Sequence, residues 1–198
     1  MASKELKKIF LSASIPLPER DAKYYETADI IAIRDAVIAL ATTALPKYLL
    51  VWGGHPSITP LIYYVMQRLD LNIQEHMILY QSSYFEKYFP EDNNKFENVI
   101  LTENTGERSS SILLMRKRMF TEHQFTAGIF VGGMEGIEDE FKMFRELHPK
   151  ALLMPIASTG AAAKIVFNDY LTPEMKDDRF EQDYAYMSMF QDLLIDKI

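Results

Sequence analysis

Three short runs set the strongest limit on what this chain can fold into. YLLVW (48–52), GIFV (128–131) and ALLMP (151–155) are apolar throughout. A strand with one face in water alternates apolar and polar residues, whereas a strand covered on both faces does not. Amphipathic helical patterns separate these runs. That alternation predicts an α/β fold, with a mainly parallel sheet and helices on both faces. The chain has only eight glycines, about 4% against the usual ~7%. Six of them (Gly53, Gly54, Gly132, Gly133, Gly136 and Gly160) come just after predicted strands.

The predicted strands are 9–14, 48–52, 76–80, 98–102, 127–131 and 151–155. Helices are predicted over 29–45, capped by Asp29 or Thr27, over 108–120 and over 137–147. A further helix follows Ser158-Thr159-Gly160, and the C-terminal segment reads as helical. There Tyr186, Met189, Phe190 and Leu193 share one face at three- and four-residue spacing. Residues 84–98 carry no clear signal. No repeat, low-complexity tract or linker divides the 198 residues, a length that suits one domain and a substantial core. The expected organisation is one domain over 1–170 with a C-terminal helical extension over 171–198, packed on the domain or at a dimer interface.

Without cysteine there is no disulfide, thiolate nucleophile or iron–sulfur cluster. Net charge is −7, which argues against a nucleic-acid surface. The tail from Glu174 carries −4 of it, with seven acids and three bases. The start, MASKELKKIFLSASIPLP, has a signal-like look, but its apolar run is short and Pro16 and Pro18 interrupt it, so a first strand is expected. The stretch 30–45 is too short to span a bilayer and contains Arg34 and Asp35. A cytoplasmic protein with no membrane and no nucleic-acid partner is expected, with no metal and no cofactor.

Ligands of open parallel sheets bind beyond the carboxyl ends of the strands. Ser12 and Ser14 end the first strand. GGHPSIT follows the second: Gly53 and Gly54 allow a tight turn, and the next helix start offers free N–H groups to a phosphate, with Ser57 and Thr59 as extra donors. An ordinary strand-to-helix turn with Ser57 as cap fits the same residues. His55 is a proton donor or a positioning contact. GGMEGIEDE follows the fifth strand. It supplies Gly132, Gly133, Met134, Glu135 and Gly136, and then Glu140 one turn into the helix, where a carboxylate can bind ribose hydroxyls or serve acid–base chemistry. Glu138 and Asp139 read as solvated acids favoured by the helix dipole. In the basic run 116–118 the side chain expected to reach an anion is Arg118, or else Arg108 from the helix start.

The order and spacing of these pieces over 9–167 resemble the SLOG superfamily, which includes the LOG phosphoribohydrolases, the DprA proteins and nucleotide-sensing domains of bacterial defence systems. The LOG enzymes carry an MHxRK helix followed by PGGxGTxxE. Here the matching stretches read MRKRM and VGGMEGIEDE. Met115, Arg118, Gly132, Gly133, Gly136 and Glu140 match. Arg116 stands for the His, Met119 for the Lys, Val131 for the Pro and Ile137 for the Thr, and one extra residue precedes Gly136. The resemblance implies a Rossmann-like three-layer α/β/α fold with a mainly parallel sheet of about six to seven strands. It implies a nucleotide-derived ligand where the two glycine loops meet, and a homodimer. GGHPSITP and the LSAS start are closest to the sensor branch, which implies binding of ADP-ribose, cyclic ADP-ribose or an NAD-like molecule in antiviral signalling. The alternative it implies is a LOG-like nucleoside monophosphate phosphoribohydrolase, with Arg118 and Glu140 catalytic. A third possibility is an interaction module docking partners through Tyr184, Tyr186, Met187 and Phe190.

Overall fold

The computed structural model describes residues 6–69 and 73–198. The first five residues of the signal-like start lie outside them. Strand β1 (Lys8–Ser14) leads through a proline-containing loop into the short helix α1 (Ala22–Tyr25) and then α2 (Ile30–Ala44). Asp29 caps α2 as the sequence predicts, its carboxylate accepting from the Ala32 N–H at 2.9 Å. Next come β2 (Leu49–Trp52), α3 (Thr59–Met66), β3 (Met77–Ser82) and β4 (Val99–Thr102). The stretch without a clear signal forms two tight turns, Ser83–Tyr88 and Glu91–Lys95. Then follow α4 (Arg108–Thr121), β5 (Phe125–Gly132), α5 (Glu135–Leu147), β6 (Leu152–Ile156) and α6 (Ala161–Ile165). The tail forms α7 (Arg179–Gln182) and α8 (Tyr186–Phe190), with α8 running on into wider turns to Ile195.

Among the described residues six strands make one sheet in the order β4-β3-β2-β1-β5-β6, every neighbouring pair parallel. This is a Rossmann-like α/β fold. The chain builds outward from β1 to β4, crosses back through α4, and builds the other way through β5 and β6. Right-handed crossovers run in opposite senses therefore place α2 and α3 on one face and α4 and α5 on the other. The second face closes on an aromatic cluster. Phe10 of β1 meets Phe120 of α4 edge-on at 4.8 Å and stacks on Phe144 of α5 at 5.3 Å. On the first face, Tyr186, Met189, Phe190 and Leu193 of the tail, with Leu194 beside them, are buried and α8 packs on α2. The stripe read from the sequence is thus part of the same core. Among the described residues no helix is long and apolar enough to cross a membrane.

Candidate functional site

Because β2 and β5 flank β1 and their connections leave in opposite directions, the carboxyl end of β1 is where the sheet reverses its winding. A cleft of about 180 Å³ opens there. Its floor is the end of β1, including Ser12 and Ser14, and its two sides are the glycine loops after β2 and β5. The loops need glycine for stated reasons. Gly54 has φ +58°, and a Cβ there would sit 1.7 Å from the Gln81 Nε2. Gly133 has φ +78°, a Cβ would lie 2.1 Å from the Ile137 Cδ1, and its N–H donates to the Ser14 carbonyl at 2.8 Å. The β5 loop is thereby laced to the end of β1.

The helix α5 starts at this loop with no side-chain cap. The Ile137 N–H turns back to the Met134 carbonyl at 2.9 Å, while the Glu135 and Gly136 amides have no acceptor among the described residues and carry the positive end of the helix dipole. Glu135 and Gly136, the first two residues of that turn, line the cleft, and Met134 precedes them. Glu140, one turn on, is fastened from two sides. One carboxylate oxygen accepts from the Ser12 hydroxyl at 2.5 Å, and the other from the Arg116 Nε at 3.0 Å. Arg116 also donates to the Gly136 carbonyl at 3.0 Å and meets Asp139 at 3.3 Å. Arg116 and Glu140 are 13% and 15% exposed, so their pairing is largely shielded from water.

Two more arginines line the cleft. Arg20, from the β1–α1 loop, pairs with Glu135 at 2.6 Å. Arg108, at the start of α4, is exposed and has no partner among the described residues. His55 faces the cleft from the β2 loop. The Ser57 N–H approaches its Nδ1 at 3.3 Å and the Ser57 hydroxyl lies 2.8 Å from the same atom. An N–H only donates, so Nδ1 accepts and the ring proton sits on Nε2. Burial holds the imidazole below its usual pKa, which keeps it neutral near pH 7. Trp52, Leu11, Ile58 and Ile137 supply an apolar lining.

Of the residues singled out from the sequence, Ser12, Ser14, Gly53, Gly54, His55, Met134, Glu135, Gly136 and Glu140 meet in this cleft, and so does Arg108, the second of the two arginines expected to reach an anion. Ser57 stands behind His55 and receives the Ile15 N–H at 3.3 Å instead of capping α3. The amides of Gly132 and Gly133 are spent on Thr159 and Ser14. Thr59 is fully buried with its hydroxyl unpartnered, away from the lining. Arg118 is not brought to the cleft. It points outward along α4, paired with Glu122 at 2.7 Å. Ser111, Met115 and Met119 form the buried face of α4, so residues 116 and 118 fall on opposite sides of that face, and the side that meets α5 is Arg116. Arg20 and Arg116 are the lining residues that spacing alone passed over. Glu138 is also not a solvated acid. It is buried and accepts from the Tyr24 hydroxyl at 2.6 Å and the Tyr170 hydroxyl at 2.9 Å. Burial first, and then this hydrogen bond, push the Tyr24 phenol up to about 12.

Compared with known families, residues 23–194 match the model of the SLOG cluster3 family. No curated protein matches the sequence.

Proposed function

The chain belongs to the SLOG cluster3 family, and we propose that its cleft binds a nucleotide-derived ligand as a sensor. Membership supports a nucleotide-related function in general. The observation that carries the particular reading is the imbalance of free groups around the cleft. The uncapped first turn of α5, the exposed Arg108 and the Nε2–H of neutral His55 are donors or cations, while the two lining carboxylates are each held by an arginine. Such a surface attracts an anion. In this reading a phosphate sits at the α5 start and Arg108, with the ribose or base on the side of the cleft lined by Trp52 and Ile58. In the same reading ADP-ribose, cyclic ADP-ribose and NAD-like molecules are the ligand class, and antiviral signalling is the context.

The sensor reading is preferred over hydrolysis because of Glu140. Its oxygens are held by Ser12 and Arg116, which leaves a lone pair on each but fixes the carboxylate as a brace beneath the cleft, and Arg118, its partner in the hydrolytic reading, is turned away to Glu122. Isothermal calorimetry with ADP-ribose, its cyclic isomers, NAD and AMP tests the proposal. At least one is expected to bind at one site per chain, with no free base released on long incubation. No heat from any of them, on folded protein, would overturn it. Release of base that stops in Glu140→Gln would instead establish the phosphoribohydrolase alternative.

A further inference from the structure

Arg20 was not among the residues that the sequence pointed to, yet it lies at the mouth of the cleft with its guanidinium 2.6 Å from Glu135. The two come from different walls: Arg20 from the loop after β1, Glu135 from the first residue of α5. Glu135 therefore stands at the helix end whose dipole favours an anion. We propose that Arg20 is a ligand-binding residue, and that Glu135 is an internal stand-in for the ligand's phosphate which occupies Arg20 until the ligand displaces it. The inference rests on the reading of the cleft as a nucleotide site and adds a competitor built into it.

The contact is suited to exchange. Both side chains are substantially exposed, at 37% and 48%, and ion pairs in such positions hold weakly. A phosphate brings more charge than a carboxylate and offers two oxygens to the guanidinium fork. The neighbouring pairs are built differently. Arg116–Glu140 is shielded and tied to Ser12, and Glu138 is buried under Tyr24 and Tyr170. The Tyr24–Glu138 bond anchors the chain just beyond Arg20 to α5, and Pro16 and Pro18 stiffen the loop before it. The exchange therefore needs only a rotation of the Arg20 side chain on a fixed stem. It also makes binding selective for ligands with a terminal or bridging phosphate, because a nucleoside has nothing to offer Arg20 in place of Glu135.

The test uses the full chain with ADP-ribose and with inorganic pyrophosphate as probes, by calorimetry, on Glu135→Gln, Arg20→Gln and the double variant. Glu135→Gln keeps the shape and removes the charge, so affinity is expected to rise about three- to tenfold, whereas Arg20→Gln lowers it about tenfold. The double variant is expected to match Arg20→Gln, since the competitor matters only while Arg20 is present. Unchanged or weaker binding by Glu135→Gln, or unchanged binding by Arg20→Gln, would overturn the exchange while leaving the nucleotide reading intact. If wild type binds neither probe, the exchange and the reading beneath it both fall.

Discussion

At the scale of single residues, three histidines set the first response of this protein to mild acid. Burial is the first cause that holds His55, His123 and His148 below the ordinary imidazole pKa. For His123 the charge of Lys8 adds to it, and for His148 the hydrogen bond to the Phe120 carbonyl opposes it. The sign follows from linkage. Above about pH 6.5 each is neutral in both folded and unfolded chains and contributes nothing to the pH dependence. Below it the unfolded chain takes up protons that the folded chain refuses, so stability falls as the pH drops toward the folded values. The midpoint of thermal unfolding is expected to hold steady between pH 8 and 7 and to decline between 6.5 and 5.5. A flat profile through that window would contradict the assigned burial.

At the scale of elements, what matters is how α4 and α5 meet at the end of β1. Arg116 of α4, Glu140 of α5 and Ser12 of β1 form one hydrogen-bonded set joining three elements beneath the cleft. Removing one member leaves a shielded charge without its partner. Arg116→Ala is expected to cost about 2 kcal/mol, less than a fully buried pair because both side chains keep some exposure, and to weaken ligand binding. Arg118→Ala, whose pair with Glu122 is exposed, is expected to leave both near wild type. Urea melts of the two variants check this, and equal losses would contradict it.

The same element shows where sequence reading reached and where it stopped. The strands and the glycine turns were legible because apolar runs and scarce glycines have purely local causes. Gly54, Gly133 and Glu140 fall where spacing put them. Which of Arg116 and Arg118 turns inward was not legible, since it depends on which flank of the helix α5 covers. Arg20 lay in an irregular loop with no periodicity to read, and Glu138 looked solvated because its tyrosine partners are 114 and 32 residues away in sequence.

At the scale of the whole molecule, the C-terminal segment completes the core over α2. Tyr186, Met189, Phe190 and Leu194 are each at most 3% exposed. At about 1.5–3 kcal/mol for a buried side chain of this size, the four match the roughly 5–15 kcal/mol that stabilises a typical domain. Arg179 pins the segment further, reaching Asp183 at 2.8 Å and Asp192 at 2.9 Å. A chain ending before Pro173 is therefore expected to lose cooperative unfolding by calorimetry. A truncated chain that melts sharply near the full-length midpoint would make the tail a separate module.

A crystal structure grown with saturating ADP-ribose shows whether the end of β1, between the two glycine loops, is a nucleotide site. Phosphate density is expected within hydrogen-bonding distance of the Glu135 and Gly136 amides, with Arg108 facing it and the Ser12–Glu140–Arg116 set unbroken. Ligand density at any other place on the molecule would contradict that assignment.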